Sequence, residues 1–248
     1  MSDRHASVTY TSYLALDEVL GAQRPRSAEH DEMLFIVIHQ VYELWFKQLL
    51  HELAFLQQRL AAGDTAHAIR TLRRILTILK VVVAQIDVLE TMTPSQFTSF
   101  RSRLEAASGF QSAQFRELEA VLGRRDASAV EHYPPGSPAR ERIAAAMTRP
   151  ALFESFVDYL AGQGYDTSGD TRGLLLRVYR DDAGPAVVAE HLVDLDEGLQ
   201  EWRYRHSKMV ERTIGDKPGT GGSSGAAYLS STLSHPVFPD LWAVRAEL

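Results

Sequence analysis

The sequence contains no cysteine among its 248 residues. A chain without thiols cannot form disulfides, iron–sulfur clusters or thiolate-ligated haem, and it cannot attach a haem covalently through a CxxCH motif. Zinc sites that use cysteine are excluded for the same reason. The absence also favours a reducing compartment, so we expect a cytoplasmic protein.

Long hydrophobic runs and an excess of basic charge are missing as well. No run of about 18 apolar residues occurs, and the first residues, MSDRHASVTY, contain no apolar segment. We therefore expect neither secretion nor a membrane-spanning helix. The formal net charge of −6 argues against general nucleic-acid binding, although it does not exclude a local basic patch.

Apolar residues recur at three- and four-residue steps along most of the chain, which is the spacing of buried helical faces. One such stripe predicts a helix from Ser27 to about Leu60, with Ser27 as its N-cap. A second predicts a helix over Thr65–Leu89, capped by Asp64. The residues of the first stripe are Leu34, Ile38, Val41, Trp45, Leu49 and Leu53.

Two capping boxes predict further helix starts, one at Thr93 with proline at the first helical position and one at Ser108. The glycine-rich stretch 215–225 cannot form regular structure. No strand pattern, internal repeat or interdomain linker is visible. The sequence therefore predicts one all-α domain over residues 1–248, with additional helices at about 139–147, 150–161 and 226–233. A further long helix is predicted to follow Gly184-Pro185 and to run to about Ile214.

Two of the nine histidines occupy unusual positions. His39 follows an apolar run, with Phe35 one turn before it and Tyr42 three residues after it, so aromatic walls would frame the imidazole. A core-edge histidine bonded to a backbone carbonyl explains it equally. His206 lies in the segment WRYRH, where it is either a haem-iron ligand or part of a solvated helix face.

Two other features allow several interpretations. The glycine-rich loop does not match a phosphate-binding GxxxxGK[ST] loop, so it is either an inert linker or a lid that closes over a ligand. Arg101 offers a planar guanidinium that can clamp a substrate carboxylate, or it is simply solvated. Nothing in the sequence alone decides between these interpretations.

Together, the segments that carry these features resemble the tryptophan 2,3-dioxygenase family. Five blocks occur in the family's order and reach both ends of the chain, which makes the resemblance far more specific than any one motif. The blocks are TYTSYLALDEVLGAQ (Thr9–Gln23), HDEMLFIVIHQVYELWFKQLLHEL (His30–Leu53), VLETMTPSQFTSFR (Val88–Arg101), SGFQSAQFRELE (Ser108–Glu119) and WRYRHSKMVERTIGDKPGTGGSSG (Trp202–Gly225).

The resemblance implies a helical bundle that encloses a non-covalent b-type haem. It makes His206 the iron ligand and His39 the group that hydrogen-bonds the indole nitrogen of the substrate. It makes Arg101 the partner of the substrate carboxylate. It makes Thr220 a partner of both the ammonium and the carboxylate group of the substrate. Positions that would line the indole pocket are Phe35, Tyr42 and Phe97, and positions that would lie close to the haem are Ser108 and Gly109.

The resemblance also implies a homotetramer, in which the N-terminal segment 1–25 reaches a neighbouring subunit's pocket through Tyr10, Tyr13 and Leu14. The expected reaction is the opening of the indole ring of L-tryptophan by O2, giving N-formylkynurenine. Ile86 stands where relatives carry a large aromatic residue, which keeps a second reaction open, the monooxygenation of a substituted tryptophan to an oxindole. A haem-binding sensor and an RNA-binding protein are the non-enzymatic alternatives.

Overall fold

The computed structural model describes residues 7–220 and 225–248. In these two ranges the regular structure is helical and contains no β-strand, which confirms the all-α class. Short 3-10 helices cover Ser102–Leu104, Gly109–Gln111 and Val244–Glu247. The α-helices are α1 (Tyr10–Leu14), α2 (Leu16–Leu20), α3 (His30–Ala61), α4 (Thr65–Leu89), α5 (Pro94–Arg101), α6 (Ala113–Leu122), α7 (Ala127–Glu131), α8 (Pro138–Thr148), α9 (Leu152–Gly162), α10 (Thr171–Asp181), α11 (Gly184–Ile214), α12 (Ala226–Ser231) and α13 (Pro239–Ala243).

The three longest helices form the frame of the protein, and α4 packs against both α3 and α11. Gly198 permits the close approach of α11 to α4, because a Cβ at this position would lie only 2.7 Å from Leu79 Cδ2. The main core cluster draws buried residues from α3, α4, α6, α9, α10, α11 and α13. Burial of these apolar side chains supplies most of the stabilisation of the fold.

A second, smaller cluster of buried residues lies where α3, α4, α5 and α11 meet. Partly buried aromatic residues pack against it, including Phe35, Phe97 and Trp202. The buried members are Ile38, Ile86, Leu89, Met92, Phe100 and Met209. This cluster forms the floor of the functional site described below.

Several helix boundaries agree with the sequence expectations. Helix α4 begins after Asp64, whose side chain accepts a hydrogen bond from the backbone N–H of His67. Helix α5 begins with the predicted capping box at Thr93 and with Pro94 at its first position. Helix α11 ends at Ile214, and Gly215 follows it with a positive φ of 61°.

Two predicted helix starts and one omission are corrected by the structure. Ser27 is not an N-cap, because it bonds the carboxylate of Glu32 and α3 begins only at His30. Ser108 caps a short 3-10 helix, and α6 starts after Ser112 instead. The sequence analysis does not predict helix α10, whose first turn contains two poor helix formers, Thr171 and Gly173, and is stabilised by the Asp170 cap.

A buried carboxylate on α11 fastens the C-terminal segment of the chain. Asp196 is fully buried, and its Oδ2 accepts hydrogen bonds from the backbone N–H groups of Val237 and Phe238 at 2.8 and 2.9 Å. The indole N–H of Trp242 donates to the same oxygen at 2.9 Å. These bonds hold the segment that follows α12 against α11. Among the described residues, none of the helices combines the length and the hydrophobicity needed to span a lipid bilayer.

Candidate active site

A cavity of about 250 Å³ lies above the second cluster, and nine residues singled out from the sequence line it. They come from α3, α5, the segment 108–109, α11 and the glycine-rich loop, so only the folded chain brings them together. The nine residues are Phe35, His39, Tyr42, Phe97, Arg101, Ser108, Gly109, His206 and Thr220.

His39, on α3, is held in a defined orientation. Its Nδ1 lies 2.7 Å from the carbonyl oxygen of Phe35, and its ring centroid is 4.1 Å from that of Phe35. A carbonyl oxygen can only accept, so Nδ1 carries the proton and Nε2 of the neutral ring is a bare acceptor. Burial lowers the pKa of His39, which favours this neutral form.

Aromatic rings form the wall beside His39. The centroid of the Phe35 ring lies 5.7 Å from that of Phe97 and 5.6 Å from that of Phe100. The hydroxyl of Tyr42 donates to the carbonyl oxygen of Val82 at 3.0 Å, and burial raises its pKa to about 12. The wall therefore offers flat apolar surfaces and a tyrosine that stays protonated at physiological pH.

His206, on α11, presents a second neutral imidazole. Its ring stacks on Trp202 with a centroid separation of 5.2 Å and an interplanar angle of 7°. Burial, and secondly the electrostatic interaction with His39, lower the pKa of His206 to about 4, so the ring is unprotonated and can donate a lone pair to a metal. Neither ring nitrogen has a hydrogen-bond partner within the described part of the chain.

The same part of the chain contains no group of three or more metal-ligating side chains that could hold a bare metal ion. A single histidine suits a metal whose other ligands come from a macrocycle, as in haem. The indole Nε1 of Trp202 is buried and has no hydrogen-bond partner among residues 7–220 and 225–248. Trp202 lines the cavity, so this donor is available to an acceptor on a ligand there.

The end of the cavity near α6 carries charged residues. Arg116, Glu119 and Arg203 all line it. The Glu119 carboxylate lies 2.6 Å from Arg116 Nη1 and 3.3 Å from Arg203 Nη2, and only 5% of the Arg203 side chain is exposed. Burial lowers the pKa of Arg203, and Glu119 opposes that shift. This end of the cavity therefore suits negatively charged groups of a ligand.

The glycine-rich loop closes against the mouth of the cavity. Arg101 Nη2 donates to the carbonyl oxygen of Pro218 at 2.6 Å, and the Thr220 hydroxyl donates to that of Ala107, also at 2.6 Å. At the far end of the loop, Gly225 has a φ of 64°. A Cβ on Gly225 would lie 2.7 Å from the carbonyl oxygen of Lys217, so the loop can close only with glycine here. Positions 221–224 lie outside the described residues.

Three residues expected at a substrate pocket do not line this cavity. Tyr10, Tyr13 and Leu14 lie on α1 with 75%, 78% and 40% of their surface exposed. Ile86, the residue that raised doubt about the substrate, is buried in the second cluster and is not among the described residues that line the cavity.

Four residues that line the cavity have no role predicted from the sequence: Trp202, Arg116, Glu119 and Arg203. A signal for Trp202 was present, because a residue four positions before His206 lies on the same helix face. No local signal linked Glu119 to Arg203, since they are 84 residues apart and meet only through the packing of α6 and α11.

Comparison with known proteins gives one consistent answer. The sequence profile of the family described as tryptophan 2,3-dioxygenase matches residues 2–137 and 138–248. The chain is 65% identical over 261 positions to the tryptophan 2,3-dioxygenase of Anaeromyxobacter dehalogenans, covering all of this chain and 98% of the relative. It is 55% identical to that of Herpetosiphon aurantiacus (98% and 99% covered) and 42% identical to that of Caulobacter vibrioides (97% and 98% covered). The chain therefore belongs to the tryptophan 2,3-dioxygenase family of enzymes.

Proposed function

We propose that this chain cleaves the indole ring of L-tryptophan with O2 to give N-formylkynurenine, using haem b in the cavity between α3 and α11. The observation that carries the proposal is the convergence of two neutral imidazoles, His39 and His206, with Arg101 and Thr220 on one largely apolar cavity. The identity of 65% over the whole chain to a tryptophan 2,3-dioxygenase supports the same reaction.

The residues present fit a haem. His206 would ligate the iron through its unprotonated ring, and Ser108 and Gly109 would lie beside the macrocycle. A Cβ at Gly109 would meet no atom within 4 Å, so the backbone there faces open space. The propionate carboxylates would pair with Arg116 and Arg203 and would satisfy the unpartnered Nε1 of Trp202.

When bound, the haem iron activates O2 for reaction with the indole, a step that no protein side chain performs. The protein residues orient the substrate. Nε2 of His39 would accept the indole N–H, because Nδ1 already carries the proton of the neutral ring. Phe35, Phe97 and Tyr42 would flank the bicyclic ring and keep water away from it.

The amino-acid end of tryptophan would lie at the mouth of the cavity. Arg101 uses Nη2 to bond Pro218, which leaves further guanidinium N–H groups for a carboxylate. Thr220 donates its hydroxyl proton to Ala107, so the hydroxyl oxygen can still accept from the substrate ammonium. The loop that carries Pro218 and Thr220 would thus bind the substrate and close the cavity in one movement.

The oligomeric state and the domain organisation belong to the same proposal. We place residues 1–248 in one haem domain, supported by the single large core cluster that seven helices share. We further propose a homotetramer in which Tyr10, Tyr13 and Leu14 enter a neighbouring subunit's cavity. Their strong exposure in the single chain supports this arrangement. The cytoplasmic location expected from the cysteine-free sequence stays a prediction.

Mass analysis of the product formed from L-tryptophan and ¹⁸O2 tests the reaction. We expect N-formylkynurenine with two labelled oxygen atoms, because ring cleavage consumes one O2 and needs no other reductant. An oxindole with one labelled atom would replace the proposal by the monooxygenase alternative. A normal haem spectrum without turnover would instead indicate a haem-binding sensor.

A further inference from the structure

A second cavity, of about 240 Å³, shares Arg203 with the charged end of the active site. It is lined by the C-terminal end of α6, by α11 and by the segment that precedes α13. Its lining residues are Gly123, Arg124, Arg203, His235, Pro236 and Val237. We propose that this cavity binds a small oxyanion of the phosphate or carboxylate class, independently of the reaction proposed above.

The guanidinium of Arg124 is left partly unsatisfied by the described part of the chain. Nη1 of Arg124 is buried and has no hydrogen-bond partner among the described residues. Its ion-pair neighbour, Glu119 Oε1, lies 3.6 Å away, which is beyond hydrogen-bond distance. Buried polar groups in native proteins are nearly always bonded, so this donor calls for an acceptor from outside the chain. An oxyanion in the cavity supplies one.

The described side chains that line the cavity carry an excess of positive charge. The Glu119 carboxylate lies 2.6 Å from Arg116, 3.3 Å from Arg203 and 3.6 Å from Arg124. The exposed carboxylate of Asp126 interacts electrostatically with Arg124 and Arg116, but it does not line the cavity. Asp196 also interacts with Arg203, but Oδ2 of Asp196 already accepts three N–H donors. Of the described residues that line the cavity, two are arginines, one is a histidine and none is acidic.

His235 and the backbone beside it form one wall of the cavity. Nδ1 of His235 lies 3.0 Å from the carbonyl oxygen of Ser231 and therefore donates to it. Nε2 is then the atom that accepts from a protonated oxyanion, or donates when the ring is charged. The bonds from Val237 and Phe238 to buried Asp196 fix the backbone beside His235, so the cavity is preformed.

Isothermal titration of inorganic phosphate into the full-length, haem-loaded protein, at constant ionic strength in chloride buffer, tests the site. We expect one phosphate per chain, and we expect Arg124→Gln to weaken binding at least tenfold. Arg70→Gln, which removes an exposed arginine on α4, is the matched control and should leave binding unchanged. A parallel titration with acetate shows whether a simple carboxylate suffices.

A second variant guards against an unfolded Arg124→Gln protein. His235→Gln should also weaken the binding of phosphate or acetate, and Arg101→Leu, in the other cavity, should not. Equal affinity in Arg124→Gln and Arg70→Gln, or no binding of either anion by the unmodified protein, would overturn the proposal. Neither outcome bears on the dioxygenase reaction, because these titrations do not depend on turnover.

Discussion

At the scale of single residues, the surroundings of His39 and His206 matter more than the residue type. Both rings lie in a largely apolar cavity, and burial lowers the pKa of each. A neutral His39 offers one bare nitrogen to an N–H donor, and a neutral His206 offers a lone pair to a metal. Either function would be lost on protonation, so the two histidines make stability and activity sensitive to acid.

The first prediction concerns the stability of the haem-free protein. The pKa of His206 is about 4 in the folded chain and about 6.5 when unfolded, so the unfolded state binds more protons between these values. The free energy of unfolding is therefore unaffected by the protonation of His206 above pH 6.5 and falls as the pH falls towards 4. Between pH 7 and pH 4 we expect the free energy of unfolding of the unmodified protein to fall by about 3 kcal/mol more than that of His206→Gln. Urea unfolding at both pH values measures this, and equal losses would contradict it.

The second prediction is that His206→Ala fails to retain haem, because it removes the one ligand assigned to the iron. The ratio of haem to protein after purification is the measurement. His51→Ala, on the exposed face of α3, is the control and should retain a full complement. Full haem content in His206→Ala would refute the assignment of the ligand.

The third prediction concerns Arg101 at the mouth of the cavity. Arg101→Leu removes a charged hydrogen-bond partner of the substrate carboxylate, which costs about 2–3 kcal/mol, or roughly 30- to 150-fold in tryptophan affinity. Arg103→Leu removes a neighbouring exposed arginine and should leave the affinity unchanged. Steady-state kinetics and equilibrium tryptophan binding compare the two, and identical values would exclude the role of Arg101.

At the scale of elements, the glycine-rich loop differs from the helices in how it is specified. The helices follow from apolar spacing and caps, whereas the closed loop depends on two contacts with distant parts of the chain and one within the loop. Arg101 bonds the loop at Pro218, and Thr220 of the loop bonds Ala107. Within the loop, the Lys217 carbonyl packs against Gly225. Such a loop can exchange its contacts for contacts with a substrate more easily than a packed helix can.

The fourth prediction follows from this geometry. Gly225→Ala introduces a Cβ 2.7 Å from the Lys217 carbonyl oxygen at a positive φ, so the loop should not close. We expect a rise of at least several-fold in KM for tryptophan with an unchanged haem spectrum. Gly136→Ala is the control, since it has a φ of 74° but no atom within 4 Å of its Cβ. Gly136→Ala introduces the same backbone strain, about 1–2 kcal/mol, without a steric clash. Equal KM values in the two variants would contradict the role of Gly225.

At the scale of the whole molecule, the single chain leaves the proposed site open to a partner. The three N-terminal residues assigned to substrate binding are exposed and lie on α1, away from the chain's own cavity. Exposed aromatic residues of this kind are typical of an interface. The complete pocket would then need two copies of the chain.

The fifth prediction tests this arrangement. Light scattering should give four times the chain mass of 27.7 kDa. Tyr13→Ala should raise KM for tryptophan without loss of haem, because the substituted residue contacts substrate only in a neighbouring subunit. Val8→Ala, at a similarly exposed position, is the control. A monomer with full activity, or a Tyr13→Ala variant with unchanged KM, would exclude the arrangement.

The sequence by itself determined the helical class, the bounds of α4, the start of α5 and the end of α11. It could do so because apolar spacing, caps and helix-ending glycines act within a few residues. The resemblance of the motif blocks to a known family added the nine residues that line the cavity. Ser27 and Ser108 show the limit of local signals, since each has a capping residue type but is used differently in the folded chain.

Only the tertiary structure decided which charges meet and what each imidazole experiences. Glu119 and Arg203 become an ion pair because α6 and α11 pack together, and no pattern within either segment encodes that contact. The neutral state of His206 likewise depends on desolvation by distant parts of the chain. Electrostatic interactions and burial are set by distances in space, and a linear sequence fixes those distances only through the complete fold.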